Sequence, residues 1–340
     1  MAQHQHYVPR MLLKGFLSCD PKEASKEQVR VFDLVEQKGF TTSISNIMGE
    51  TRFNEWWLDD EHVATIEPAA TEIESRLSPL IRRIRAERKL ERTPEEFADL
   101  AFLMAFQFIR TKRMRLLPER LNAQVRAKVV RMGLDPQKVE GLQNWDEDTL
   151  KQQHVRHQIK SVGEYAQIIA QKEFFLMTAP HGSTLYLGDH PVVMHNDEKR
   201  HGPFGNLGLG VPYIQIYLPL AGNVLLCAYD RAVLGQLMMN RADGLREIQS
   251  NALDRLRCGL ITAQQMKAFL HTAESLDITT PLVDAIRAGD AIPMTEQNVQ
   301  HYNSLQAFQA HRFLIDPNGD FEVARQMCGE RVRAYNQENL

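Results

Sequence analysis

The sequence has few of the features that mark secreted, membrane-spanning or metal-cluster proteins. Its 340 residues include only four cysteines, Cys19, Cys227, Cys258 and Cys328, which are scattered and form no CxxC pair. This spacing excludes a dense disulfide framework, and we expect reduced thiols in a cytoplasmic protein. The longest uncharged apolar run, residues 100–109, is about half as long as a membrane span. The chain start lacks the basic and apolar regions of a signal peptide, so we expect no membrane partner.

A strong charge of one sign and the familiar catalytic motifs are lacking as well. The 40 lysines and arginines nearly balance the 43 aspartates and glutamates, which gives a net charge of -3 and no global attraction to nucleic acid. The basic run over residues 110–120 still has two interpretations, a local contact to phosphates or a solvated helix face. The sequence contains no Walker A loop, GxSxG elbow or HExxH motif, so no motif of this kind specifies a reaction.

The hydrophobic pattern indicates helices on either side of a short β region. Helical periodicity covers residues 63–173, with breaks expected near Pro79 and Pro118. A β-rich insert follows at residues 184–229, and helical periodicity returns over residues 231–310. The threonine- and serine-rich segment 41–45 is predicted to be a loop. Strands and helices do not alternate as in βαβ units. The sequence therefore predicts an α+β fold, mostly helical with a small mixed or antiparallel sheet, in a single integrated domain over residues 1–340.

The first sixteen residues combine polar side chains with a segment that favours burial. His4 and His6 are two positions apart, so in an extended segment both imidazoles point to one face and can reach one metal ion. We expect a divalent ion, Mg²⁺ or Mn²⁺, if a cofactor is bound. The alternative is that His6 is hydrogen-bonded beside Tyr7 and that His4 has no role. Arg10 is a candidate for binding substrate.

A second group of polar residues ends an apolar helix. A capping box at residues 93–96 starts the helix, which is apolar nearly all round and is therefore predicted to be central and buried. Gln107 and Arg110 lie three residues apart, on one face near its end. A buried glutamine needs a partner, so we predict that Gln107 positions a substrate and that Arg110 stabilises an anion. The alternative is a set of charges that complements the helix dipole.

A third group lies between two short apolar segments that read as strands, residues 184–187 and 191–194. Asp189 and His190 occupy the connection, followed by Pro191. An aspartate and a histidine at strand ends can ligate a metal ion or transfer protons. Aspartate and proline also favour tight turns without any function, and both interpretations remain open.

These motifs together resemble a bacterial and phage family, the domain of unknown function DUF4238. The matching segments are, in chain order, His6-Tyr7-Val8-Pro9-Arg10 with Leu13 and Phe16, a strand over residues 29–34, an aromatic at Phe53, Gln107-x-x-Arg110-Thr111, Gly188-Asp189-His190-Pro191-Val192, Tyr217-Leu218-Pro219-Leu220, Asn303 and Arg312-Phe313. They span residues 6–315, which is almost the whole chain. Gly188 and His190 depart from the serine and the asparagine that the family typically has there.

The resemblance implies an arrangement rather than an activity. It suggests that His6, Gln107, Arg110, Asp189 and Asn303 converge in one polar pocket within one domain. Because the family provides no settled reaction, the function has to be argued from the residue types.

Three hypotheses follow for this pocket. The first is a hydrolase, a phosphodiesterase or nuclease in phage–host conflict, with His6, Asp189 and Arg110 as catalytic residues; Arg10, Gln107 and Asn303 would bind substrate, and the metal ligands would come from His4, His6, Asp189 and His190. The second is a non-catalytic binding or sensor protein for a nucleotide-like anion. The third is a structural network in which His6 pairs with Asp189, while Gln107 and Arg110 satisfy buried backbone groups.

Overall fold

The computed structural model of the chain describes residues 4–57, 62–139, 142, 147–198 and 206–329. Both ends of the predicted 1–340 domain, residues 1–3 and 330–340, lie outside the described residues. Residues 199–205 of the predicted β-rich insert lie outside them as well.

The described residues form groups of short strands and groups of mostly longer helices along the chain. The strands are β1 His4–His6, β2 Gln28–Asp33, β3 Lys38–Ser43, β4 Gly49–Thr51, β5 Glu55–Trp57, β6 Val63–Thr65, β7 Glu173–Thr178, β8 Leu187–Gly188, β9 Val193–His195, β10 Gln215–Ala221, β11 Val224–Tyr229, β12 Ile292–Pro293 and β13 Phe313–Ile315. The helices are α1 Arg10–Leu13, α2 Pro21–Ala24, α3 Glu67–Glu87, α4 Pro94–Ile109, α5 Lys112–Arg131, α6 Glu147–Ala170, α7 Arg231–Arg257, α8 Ala263–Ser275, α9 Thr279–Ala288 and α10 Glu296–Gln309. Residues 322–329 are also helical.

The strands form two main sheets and two small ribbons. The larger sheet has the order β12-β7-β11-β10-β9 and is antiparallel except for the parallel pair β12 and β7. A four-stranded antiparallel sheet has the order β3-β2-β13-β8, and β1 pairs with β4 as β5 does with β6. The predicted α+β class, with a mixed or antiparallel sheet, is confirmed.

The five-stranded sheet is covered on both faces. Ile216 and Leu218 of β10 point into the main core, together with Ile214 just before the strand. They share this core with Leu100 and Met104 of the buried helix α4. The alternate residues of the sheet point the other way, into a second core built with helices α9 and α10. A third cluster joins α10 to the four-stranded sheet and to the helical residues 322–329. Helix α10 therefore lies between both sheets, where it can position side chains against either.

Two local predictions are wrong because packing outweighs local propensity. Proline was expected to interrupt the helices at Pro79 and Pro118, yet α3 and α5 continue through both positions. Leu77 and Ile81 beside Pro79 are fully buried, and this packing offsets the lost hydrogen bond. Residues 41–43 of the segment expected as a loop belong instead to β3, because β3 pairs along the whole of β2.

Side-chain amides of α10 pair the main chain of a buried segment that has little strand structure. Asn303, Gln306 and Gln309 recur every three residues along the helix. Each amide bonds to one main-chain donor and one main-chain acceptor of the segment 184–194. Asn303 bonds to residues 186 and 184, Gln306 to residues 188 and 191, and Gln309 to both main-chain groups of residue 194. Buried main-chain groups need such partners, so the amides replace the ladder that longer strands would have formed.

We expect the substitution Gln306→Leu to lower the free energy of unfolding by about 2–4 kcal/mol, because it leaves the buried Gly188 amide and Pro191 carbonyl unpaired. Gln300→Leu is the matched control, since the same change is made at an exposed position of the same helix. It should change the stability by no more than about 0.5 kcal/mol. Urea denaturation gives both values, and equal stabilities would contradict the role of the amide.

Candidate functional site

The two polar residues at the end of α4 hold the N-terminal strand through its main chain. The Arg110 Nη2 atom donates to the His6 carbonyl at 2.6 Å, and the Gln107 Nε2 atom donates to the Tyr7 carbonyl at 2.9 Å. Arg110 also forms an ion pair with Glu74 of α3 at 2.7 Å, and only 2% of its side chain is exposed. The guanidinium is therefore neutralised and buried. Its predicted role as an anion stabiliser stays a prediction.

The N-terminal histidines lie side by side, as the expected extended segment requires. The ring centroids of His4 and His6 are 5.1 Å apart and nearly perpendicular, and His6 Nε2 lies 2.9 Å from the Ile44 carbonyl. Burial lowers the pKa of His6. Arg10 is exposed and forms an ion pair with Glu27 at 2.7 Å. Within the described part of the chain, no three histidine, cysteine, aspartate or glutamate residues are grouped to hold a metal ion, so the metal site stays a prediction.

Asp189 holds the start of β13. Its carboxylate accepts hydrogen bonds from the main-chain amides of His311, Arg312 and Phe313 at 2.7, 2.8 and 3.0 Å. Burial raises its pKa to about 6, while these three amides act in the opposite direction. The pairing of His6 with Asp189 that the structural hypothesis contained is wrong, because each side chain contacts main-chain groups instead.

The neighbours of Asp189 are also occupied by protein contacts. His190 Nδ1 lies 2.7 Å from the Thr111 hydroxyl, and the ring packs against Phe108 with a centroid distance of 5.3 Å. Burial lowers the pKa of His190 to about 3, so the imidazole is neutral at pH 7. A side chain at Gly188 would bring its Cβ to 2.7 Å from Gln306 Oε1, so the serine typical of the family would require Gln306 to move.

The described contacts bring together only part of the predicted pocket. His6, Gln107 and Arg110 meet, but Asn303 lies on α10, where its amide bonds to Thr184 and Tyr186. Gln107, Arg110, Asp189 and Asn303 are each at most 5% exposed. Their catalytic and binding roles therefore stay predictions, and their contacts are those of structural residues.

The basic run at the start of α5 faces protein groups as well. Lys112 forms an ion pair with Glu50, and Arg120 contacts the His311 ring. Arg113 donates to the Gln309 carbonyl, and Arg115 donates to the Phe53 carbonyl. In this arrangement the run does not offer a continuous row of unpaired cations.

A different group of titratable side chains lies beside β9 and α10. His195 ends β9 and its Nε2 atom lies 2.8 Å from Asp197 Oδ1. His301 of α10 approaches the same ring edge-to-face, with centroids 4.8 Å apart. The hydrogen bond from His195 lowers the pKa of Asp197. Burial and the charge of His195 lower the pKa of His301, and Asp197 opposes them.

Sheet register extends this cluster into a row of polar residues. Gln215 on β10 lies opposite His195 on one side and Tyr229 of β11 on the other. Its Nε2 atom donates to Asp197 Oδ2 at 3.0 Å, and its Oε1 atom accepts the Tyr217 hydroxyl at 2.6 Å. Gln215 and Tyr217 share a face because strand side chains alternate. The second oxygen of Asp197 is thus fixed by the sheet.

His301 also lines a groove of about 830 Å³ between α10, the segment 182–186 and the helical residues 322–329. The described lining residues include the carboxylates of Glu296, Asp320 and Glu322, several amide and hydroxyl side chains, and no lysine or arginine. The groove is therefore polar and acidic, with an imidazole at its wall. We take His195, Asp197 and His301, with this groove, as the candidate site.

Sequence reasoning did not identify these three residues. His195 and Asp197 follow the connection that contains Asp189, and the polar residues Gln215, Tyr217 and Tyr229 within strands were a usable signal. His301 could not be found this way, because only the docking of α10 beside β9 brings it to His195.

The buried neutral imidazole of His190 gives a prediction about acid stability. Burial lowers the pKa of His190 from the ordinary 6.5 to about 3. The neutral ring therefore contributes to the free energy of unfolding above pH 6.5, and this contribution is lost as the pH falls from 6.5 towards 3. His190→Asn keeps an acceptor for Thr111 but does not titrate in this range. Urea denaturation from pH 7 to pH 4 should show the wild type losing more stability than the variant. Parallel losses would contradict this account.

Comparison with known proteins gives a family and no activity. The profile of the family described as "Protein of unknown function (DUF4238)" matches residues 4–320, which is nearly the whole chain. No curated protein and no solved structure matches the sequence. The match covers both sheets, the buried polar residues at the end of α4 and the cluster beside α10. The chain belongs to the DUF4238 family.

Proposed function

We propose that the protein is a hydrolase that binds a polar substrate in the acidic groove and activates water with His301. The observation that supports this proposal is that His301, which lines the groove, contacts the ring of His195, which Asp197 holds by a hydrogen bond. Paired imidazoles held by a carboxylate are suited to moving protons during hydrolysis.

Each member of the cluster has a distinct part in this proposal. His301 faces the groove, and its lowered pKa leaves the ring neutral at pH 7, so it can accept a proton from water. Asp197 accepts the hydrogen bond from His195 Nε2, which places a proton on that atom and fixes the ring. When His301 becomes an imidazolium, the nearby Asp197 charge stabilises it. The nucleophile is water rather than Ser304, because the Ser304 hydroxyl donates to the His301 carbonyl at 2.7 Å.

The charge of the groove favours certain substrates. The carboxylates of Glu296, Asp320 and Glu322 repel anions and attract cations, and the amides and hydroxyls between them can bind neutral polar groups. We therefore propose a neutral or cationic ester or amide as the substrate class. Cleavage would add water across the carbonyl–oxygen or carbonyl–nitrogen bond.

The nuclease and phosphodiesterase prediction remains a second form of the same proposal. Two adjacent imidazoles can act as acid and base on a phosphodiester without a metal ion. Against it, phosphates would face the carboxylates of the groove, and Arg110 is paired with Glu74. A role in phage–host conflict and a nucleic-acid partner depend on this form and stay predictions.

A binding protein without catalysis is the other candidate. The observation that favours it is the predominance of amide and hydroxyl side chains in the groove, which bind ligands and do not transfer protons at neutral pH. The acidic lining makes a nucleotide-like anion a poor ligand for this groove. The assay described below separates binding from turnover.

For the compartment, we propose the cytoplasm, as the sequence predicts. None of the four cysteines forms a disulfide in the described residues, and the thiols of Cys19 and Cys258 are exposed. Exposed thiols suit a reducing compartment. No described helix is long and apolar enough to cross a membrane.

We expect purified protein to hydrolyse a neutral p-nitrophenyl ester faster than bis-p-nitrophenyl phosphate. His301→Ala should lower kcat/KM roughly 100-fold or more, which is the usual loss when a general base is removed. Activity should also decline on acidification through the lowered pKa of His301, because protonation removes the base. Initial rates by absorbance between pH 4.5 and 8 provide the measurement.

His271→Ala is the matched control, since it removes an exposed imidazole from α8 and should leave kcat/KM unchanged. Full activity of His301→Ala, or no turnover of any ester or amide by the wild type, would contradict the hydrolase. Adding EDTA tests the Mg²⁺ or Mn²⁺ prediction separately. Proton transfer by imidazoles needs no metal ion, so we expect activity to persist.

A further inference from the structure

A second cavity is lined by Asp197 of the histidine cluster and shares none of its described lining residues with the groove. It has a volume of about 460 Å³, opens to the surface, and is bordered by β7, β10 and β11 together with α7 and α9. This size is within the range of small-molecule sites. Most of its wall is apolar and comes from Phe175, Met177, Leu234, Leu237, Leu282 and Ile286. The cavity is thus separate from the groove used in the proposed function.

The polar end of the cavity has a fixed hydrogen-bond direction. Because the Asp197 carboxylate only accepts, Gln215 must direct its NH₂ group to Asp197 and its oxygen to the Tyr217 hydroxyl. The single Tyr217 proton is used in that bond. The Tyr229 hydroxyl, 2.7 Å from Tyr217, must therefore donate to the Tyr217 oxygen.

This direction determines what the cavity can bind. The Tyr229 hydroxyl uses its one proton in the hydrogen bond to Tyr217, so toward a ligand its oxygen can only act as an acceptor. Two carboxylates, Asp197 and Glu198, line the same end, and no lysine, arginine or histidine is among the described lining residues. An acceptor beside two negative charges selects a head group that donates hydrogen bonds and carries a positive charge.

We propose that this cavity binds a primary amine with an apolar tail. The ammonium group lies between the Tyr229 oxygen and the Asp197 carboxylate, and the tail packs among Leu234, Leu237, Leu282 and Ile286. An apolar tail alone would fill the leucine-lined wall but would leave the acceptors at the polar end without donors. A carboxylate head group would place a third negative charge there. The amine satisfies both ends of the cavity.

The test is isothermal titration of the full chain with n-octylamine, n-octanol and octanoate, which share a tail and differ in the head group. We expect saturable one-to-one binding of octylamine, with octanol weaker and octanoate weakest. Tyr229→Phe should weaken octylamine binding by about five- to tenfold, because it removes the acceptor and keeps the ring. Tyr165→Phe, the same change on α6 away from the cavity, should bind like the wild type.

The opposite results would overturn the proposal. These are no saturable octylamine binding by the wild type, equal affinity of Tyr229→Phe, or octanoate binding as tightly as octylamine. Leu282→Trp, which fills the apolar end and leaves Tyr229 in place, should also weaken octylamine binding, and unchanged affinity there would contradict the assigned cavity. Circular dichroism melting of each variant confirms that the comparison is made on folded protein.

Discussion

Buried main-chain groups must be paired, and in this protein side chains rather than long strands provide many of the partners. Arg110 and Gln107 pair the carbonyls of residues 6 and 7, Asp189 pairs the amides of residues 311–313, and three amides of α10 pair the segment 184–194. The N-terminal strand, the two sheets and α10 are thereby joined by polar contacts within the apolar clusters. Removing one partner leaves a buried group unpaired, which costs more than the bond itself contributes.

This constraint separates the residues that specify the fold from those that are available for chemistry. A carboxylate that accepts three amides and a guanidinium bonded to a carbonyl and a carboxylate have little capacity for a substrate. His301 is exposed, and its ring contacts His195. Asp197 holds His195 by a hydrogen bond, and most of the Asp197 side chain is exposed. Tyr229 bonds to Tyr217 through its hydroxyl and also lines the second cavity. Helix α10 serves both purposes, because it carries the structural amides and His301.

Local sequence signals were enough to predict three features, namely the α+β class, the buried helix α4 and the hairpin of β10 and β11. The spacing of the apolar residues indicates each helix or strand, and the capping residues mark where α4 begins. The sequence also showed that Gln107 needs a partner, and the partner is a protein carbonyl. Local signals could not show which partner, because Tyr7 and Gln107 are distant in the chain. The same limit applies to the candidate site. His195 and His301 are brought together only by the packing of α10 against β9.

The most direct test of where the function lies is a crystallographic fragment screen of the wild-type protein with small polar, cationic and anionic compounds. We predict that neutral and cationic fragments bind in the groove beside His301, within hydrogen-bond distance of its ring. We also predict that no fragment contacts Arg110 or Asp189, since both are buried and paired. Anionic fragments bound at Arg110 and Asp189, with the groove unoccupied, would contradict the account.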